Sequence, residues 1–204
     1  RCAIVTGVQT CALPISADLY LSANPDWMAH LVEKGVVDEA DVRPLLSNAL
    51  VLIVPAGAPP LAVEAEALTA RLDGERFAMA DPATAPVGQY GQAALETLGL
   101  WAVLAPRHVP TRNTLVTVAT VGRGEAPVGL VYRSDALDVD DVAIAAEIPA
   151  DAHPPIVYPA APLTDGADAA GAAQLMEFML SPAARAIFAR HGFRVKDTDR
   201  KSVV

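Results

Sequence analysis

Apolar and polar positions along the chain follow two periods. The run at 48–55 (NALVLIVP) is apolar at nearly every position and is bounded by Asn48 and Pro55. A run of that length with no polar face predicts a strand buried on both sides, as in the parallel sheet of an α/β protein. Shorter apolar runs predict further strands at 17–22, 77–79, 127–132, 142–148 and 156–160. Helical spacing fills the intervals. In 26–34, Trp27, His30 and Leu31 fall at i, i+3 and i+4, which predicts a helix packed through that face. Asn24 suits its N-cap, Pro25 its first position and Gly35 its stop. Further helices are predicted at 64–72, ended by Asp73 and Gly74, and from Pro86 to about residue 99. The last two helices are predicted at 168–180 and, with Ser181 as N-cap and Gly192 as stop, at 182–190. Residues 100–110 read as a loop. Residues 114–121 fit two patterns: their β-branched content favours a strand, and Leu115, Val118 and Ala119 at i, i+3 and i+4 favour a helix.

Strands alternating with helices place the chain in the α/β class. The Pro/Gly stretch at 56–60 and the segment near 155 read as two crossings between lobes. On that reading 17–55 and 156–198 form a first lobe and 56–155 an inserted second lobe. Helix N-termini facing a cleft between two lobes make a ligand site.

Composition and charge narrow the function. The 204 residues are 52% hydrophobic and 19% charged, a globular composition, and no apolar run reaches the length of a membrane span. A net charge of −9 argues against nucleic acid or an anionic membrane as a general partner, but not against a small anion held by local donors. His30, His108, His153 and His191 show no metal or nucleophile spacing, and the carboxylates are scattered, so an enzyme is not indicated. The stretch 81–90 (DPATAPVGQY) joins a predicted strand to a helix whose first position is Pro86. Read locally, it is either a plain strand-to-helix crossover or a turn whose free N–H groups form an anion site. Asp81 and Asp135 read as turn and capping residues rather than catalytic ones.

Two resemblances change this picture. The segment 5–15 (VTGVQTCALPI) resembles the translation of a common sequencing adapter, and 199–204 (DRKSVV) resembles that of its partner adapter. Residues 1–16 and 199–204 are therefore expected not to belong to the natural protein, and they are set aside from fold reasoning. Cys2 and Cys11 lie in the first of these segments and carry no redox information. A signal peptide is expected to be missing for the same reason.

The second resemblance is to a protein family. Its motifs are 17–24 (ADLYLSAN) with Trp27 and Met28, 48–55, 80–82 (ADP) with 86–90 (PVGQY), 124–132 (GEAPVGLVY) with 134–136 (SDA), and 153–159 (HPPIVYP). In order and spacing these resemble the molybdate-binding protein of bacterial ABC importers across about 17–195. The resemblance implies a two-lobed, type II periplasmic-binding-protein fold that closes on molybdate or tungstate in the inter-lobe cleft. It implies neutral hydrogen-bond donors, no salt bridge, no cofactor and no bare metal ion. Carried over by motif, the donors are the backbone N–H groups of Val87 and Thr114 and the hydroxyl of Tyr132, to which the Thr114 hydroxyl is a candidate addition. Two serines complete the family's set, on a strand–helix unit that precedes position 17 in the family. The first lobe is thus expected to be incomplete, and residues 17–198 alone are expected to bind molybdate little or not at all. The resemblance also makes 114–121 a helix. It implies an importer permease as partner, a monomer, no nucleic acid, and a periplasmic or lipid-anchored location. The alternative is an oxyanion-sensing effector domain of a transcription regulator with the same fold.

Overall fold

A computed structural model describes residues 17–195. The expectations for 1–16 and 199–204 lie outside the described residues. In chain order the elements are β1 (Leu19–Leu21), α1 (Pro25–Glu33), β2 (Arg43–Leu46), β3 (Leu50–Pro55), α2 (Ala65–Leu72), β4 (Phe77–Ala80), α3 (Pro86–Thr97), α4 (Trp101–Leu104) and β5 (His108–Thr111). Then follow α5 (Thr114–Gly122), β6 (Val128–Tyr132), α6 (Arg133–Ala136), β7 (Val142–Glu147), β8 (Tyr158–Pro162), α7 (Ala169–Leu180) and α8 (Pro182–Arg190). The chain divides into two compact units: one takes the chain up to Leu45 with Tyr158–Ala184, the other Leu46–Val157 with the chain from Arg185.

The smaller unit is built on a three-stranded sheet in the order β1-β8-β2. The Asn24 side chain caps α1 by accepting the Asp26 N–H at 2.8 Å. The packed face of α1 differs from the expectation. Met28 is buried and clusters with Val37 and Ala161, flanked by Leu31 and Val32, whereas Trp27 is 60% exposed. Met28, Leu31 and Val32 are also spaced i, i+3, i+4, so periodicity alone admitted two stripes, and packing on β8 selected this one.

The larger unit holds a five-stranded sheet in the order β5-β4-β6-β3-β7. Every residue from Leu50 to Val54 is fully buried, as the apolar run predicts. Each such side chain stabilises the fold by about 1.5–3 kcal/mol relative to exposure. The pairing differs from the expectation: β3 is antiparallel to both its neighbours, β6 and β7. Burial on both faces is what any central strand shows, so it carries no directional information. The pairing also puts 48–55 in the larger unit and not with 17–45 as the sequence reading had it. The first crossing lies between Leu45 and Leu46, and 56–60 is not a crossing: the Ala56 N–H bonds to Asp141 O at 3.0 Å, within this same unit. Residues from Arg185 on, also expected in the first lobe, belong to the larger unit, where Ser47 and Arg194 exchange backbone bonds of 2.7 and 2.9 Å.

Residues 100–110 are not a loop. They form α4, a 3₁₀ turn (Ala105–Arg107) and β5. Pro106 and Pro110 disguise the strand, and Pro110 is tolerated because β5 lies at the sheet edge. Asp135 lies in a short helix, α6 (Arg133–Ala136), that directly follows β6. The ambiguous segment is the helix α5. Asn113 caps it, and Val118 and Val121 pack against Val51, Ile53, Ala78 and Val131 of the sheet. Burial against the sheet outweighs the weak helix propensity of Val and Thr. Helix α3 covers the opposite face. A Cβ on Gly91 would meet Met79 and Leu130, whereas one on Gly129, next along β6, would meet Val121 and Thr117 of α5.

Candidate functional site

Strand β4 is parallel to both β5 and β6, with Ala80 opposite Thr111 and Met79 opposite Leu130. The three strands therefore end at one edge of the sheet. From that edge β4 runs into α3, β5 into α5, and β6 ends in Tyr132. The carboxyl edge of such strands is where α/β sheets bind ligands. The three sequence-predicted site residues, Val87, Thr114 and Tyr132, are brought to this edge, and all belong to the larger unit.

Val87 is the second residue of α3. The turn before it is built locally: the Asp81 carboxylate accepts the Ala83 N–H at 2.9 Å, and Asp81 O accepts the N–H groups of Thr84 and Ala85 at 3.1 and 2.9 Å. Asp81 thus has the turn role the sequence implies. The Asp81 N–H bonds to Thr111 O at 2.8 Å, which ties this turn to the end of β5. The Gly88 and Gln89 N–H groups turn back to Ala85 O, and no side chain caps the helix. The Val87 N–H, one position earlier, has no intrahelical acceptor, and the positive end of the helix dipole lies behind it. The close seat of α3 depends on Gly88, whose absent Cβ would stand 2.3 Å from Ala80 O. The sequence reading passed over Gly88, because its constraint comes from a turn packed above it and not from its own helix.

Thr114 is the first residue of α5. Asn113 precedes it as N-cap, its side chain accepting the Val116 N–H at 3.0 Å and its carbonyl the Thr117 N–H at 3.2 Å. Below, the Thr111 and Thr117 hydroxyls bond to each other at 2.6 Å, with Thr117 fully buried. These contacts fix the helix head and leave the Thr114 N–H outward at the first position. The short helix α6, which carries Asp135, packs against α5. Asp135, which the sequence reads as a turn or capping residue, lies within α6, whose N-terminus has no side-chain capping bond. Burial raises the Asp135 carboxyl above its ordinary value, and the nearby Thr114 side chain opposes that shift. Tyr132 is 8% exposed, at the end of a strand whose other residues are fully buried or nearly so.

Two helix heads and a phenol, all neutral, are thus brought to one sheet edge, a kind of arrangement that suits an acceptor-only anion. The histidines lie in other settings: His30 near Glu33, His108 bonded to Met79 O at 3.0 Å, His153 against the Tyr90 ring and His191 near Asp138. Among the described residues no group of three or more His, Cys, Asp or Glu is arranged to hold a metal ion. None of their helices is long and apolar enough to cross a membrane.

Comparison with known proteins gives concordant results. A family model described as bacterial extracellular solute-binding protein matches residues 10–194. The molybdate-binding protein ModA of Escherichia coli K12 is 36% identical over 183 residues, which cover 88% of this chain and 71% of that protein. A putative ABC transporter substrate-binding lipoprotein of Bacillus subtilis is 32% identical, over 87% of this chain and 67% of its own length. Among solved structures, the substrate-binding domain of a putative molybdenum ABC transporter from Clostridium difficile superposes with a TM-score of 0.78 at 26% identity, covering 90% of this chain and 79% of that one.

Proposed function

The chain belongs to the bacterial extracellular solute-binding proteins, and from that premise we propose that it is the substrate-binding component of an ABC importer, taking up molybdate or tungstate. Its fold is the mixed α/β fold of the periplasmic binding proteins, and it is not an enzyme. It works outside the cytoplasm, free in the periplasm or held by a lipid anchor, as a monomer that delivers its anion to a permease. Two of the proteins quoted above are named as substrate-binding parts of ABC transporters, so the effector-domain alternative is not favoured.

The observation that carries the ligand assignment is the convergence of Val87, Thr114 and Tyr132 on the carboxyl edge of β4, β5 and β6. In this reading the Val87 and Thr114 N–H groups and the Tyr132 hydroxyl each donate to an oxygen of the anion. Burying a dianion is costly unless its oxygens are saturated with hydrogen bonds. Helix-head N–H groups supply those bonds without titrating. An array of donors also rejects a protonated oxyanion, because the extra proton would face a donor. Pocket radius then separates molybdate from the smaller sulfate.

Titration calorimetry of the full-length protein with molybdate, tungstate and sulfate tests the assignment. The expected result is saturable binding of the first two at one site per chain, weaker binding of sulfate, and a marked loss on Tyr132→Phe. Absence of heat with all three anions, or sulfate binding as tight as molybdate, would overturn it.

A further inference from the structure

Two threonines that the ligand scheme does not use are buried beneath the head of α5. Thr117 is fully buried, and Thr111, the last residue of β5, is nearly so. Their hydroxyl oxygens lie 2.6 Å apart, and both reach one carbonyl, Asn113 O, at 3.0 Å from Thr111 and 3.3 Å from Thr117. Gly129 of β6 makes room for Thr117: a Cβ there would stand 3.0 Å from the Thr117 methyl. Each hydroxyl has one hydrogen. Whichever hydroxyl donates to Asn113 O, the other donates to its partner, so both hydrogens are used within this triangle. The carbonyl they hold belongs to the same peptide plane as the Thr114 N–H. A trans peptide is rigid, and its N–H points opposite to its C=O. Fixing Asn113 O on the buried side therefore directs the Thr114 N–H away from the pair. A hydroxyl donating to that carbonyl also polarises the amide and strengthens its N–H as a donor. The main chain of Thr111 reaches the other helix head. Thr111 O accepts the Asp81 N–H at 2.8 Å, and Asp81 O accepts the Ala85 N–H at 2.9 Å, directly before α3. One residue thus braces both heads, Thr114 through its side chain and the turn before Val87 through its carbonyl.

We propose that Thr111 and Thr117 are positioning residues of the anion site: their buried hydroxyl pair sets the direction of the Thr114 N–H by holding the carbonyl of the same peptide, and Thr111 keeps that donor in register with the head of α3. The inference rests on the oxyanion reading of the same site. It adds two side chains that act on the ligand only through the backbone.

The test is titration calorimetry of the full-length protein with molybdate, each variant first checked by thermal melting and measured well below its own transition. Thr111→Val combined with Thr117→Val removes both hydroxyls and is expected to weaken molybdate roughly tenfold, the scale of a hydrogen bond to a charged group. Either valine change alone leaves one hydroxyl to donate to Asn113 O and is expected to cost only about threefold. Thr111→Ser combined with Thr117→Ser keeps both hydroxyls and is expected to bind within about twofold of wild type, although the loss of two buried methyls lowers its melting temperature. Val118→Ala takes buried methyls from the same helix, and is expected to melt lower with affinity within about twofold of wild type. If the double valine variant does not fold, Thr117→Val against Thr117→Ser makes the same comparison, with a gap of about threefold expected and equal affinities overturning the proposal. A folded double valine variant with wild-type affinity, a double serine variant as weak as the double valine one, or an equal loss in Val118→Ala would also overturn the proposal and leave the oxyanion reading standing. A wild type that binds no oxyanion would overturn both.

Discussion

The contact beneath the Val87 N–H gives a sharp test of the site. At Gly88 a Cβ would stand 2.3 Å from Ala80 O, 2.7 Å from Pro82 N and 2.8 Å from Asp81 C. All three are backbone atoms of one tight turn, so no rotamer change relieves the clash. Moving from 2.3 Å to the 3.4 Å of ordinary contact requires about 1.1 Å. That displacement falls on the first turn of α3, next to Val87. A hydrogen bond of about 2.9 Å stretched by that amount is lost. Loss of one bond to a charged ligand costs about 1.5–3 kcal/mol, which is roughly ten- to a hundredfold in Kd. Overpacking costs stability by a further ~1–3 kcal/mol. The control is Gly91, one turn on. A Cβ there would meet the Met79 sulfur at 2.6 Å and a Leu130 methyl at 2.9 Å, both mobile side-chain ends. Gly91→Ala is therefore expected to lower the melting temperature while leaving molybdate affinity within about threefold of wild type. Gly88→Ala is expected to lower both. Calorimetry beside thermal melting of the two variants decides the matter. A folded Gly88→Ala protein with wild-type affinity, or equal affinity losses in both variants, would refute the assignment of Val87.

Three further outcomes follow from the same site. Tyr132→Phe removes one hydroxyl and is expected to weaken molybdate about ten- to a hundredfold, read by calorimetry. Asn113→Ala removes the cap of α5, whose side chain accepts the Val116 N–H at 3.0 Å, and is expected to cost about 1 kcal/mol in chemical denaturation. The Asp135 carboxyl is raised in the folded state above its unfolded value, so its contribution is most favourable below the unfolded pKa and is lost as pH rises through the folded one. Asp135→Asn should therefore gain stability relative to wild type as pH rises through the carboxylate range, and unfolding at a series of pH values with a constant difference would refute this.

Much of the fold is legible in the sequence where one residue pattern admits one structure. The run at 48–55 had to be a buried strand, and Asn24 with Pro25 had to open a helix. What the sequence leaves open turns on partners distant in the chain. The direction of β3 is set by β6 and β7, and its own residues are buried equally in either orientation. The packed stripe of α1 is chosen between Trp27 and Met28 by what β8 presents. β5 is hidden because two prolines suppress the strand signal at an edge where proline does no harm. At the site, local pattern reaches only as far as a helix head after a strand. Val87, Thr114 and Tyr132 emerge as a set through the family resemblance. The demand for glycine at 88 is invisible without the three-dimensional contact.

The balance of charge gives a last and separable prediction. The chain carries a net −9, yet it is assigned a dianionic ligand. The two are compatible because their ranges differ. Scattered carboxylates farther than about 8 Å act through screened water at physiological salt, whereas the helix-head donors act at hydrogen-bond distance. A site assembled from lysine or arginine would lose affinity as salt rises, since the salt screens its attraction. A site of neutral donors in an acidic protein has only the diffuse repulsion left to screen. Molybdate affinity is therefore expected to stay flat or rise slightly as sodium chloride is raised, measured by calorimetry at constant pH. A steep fall with salt would contradict the neutral-donor assignment and direct attention to Arg112 and Arg133, which flank Thr114 and Tyr132 in the chain.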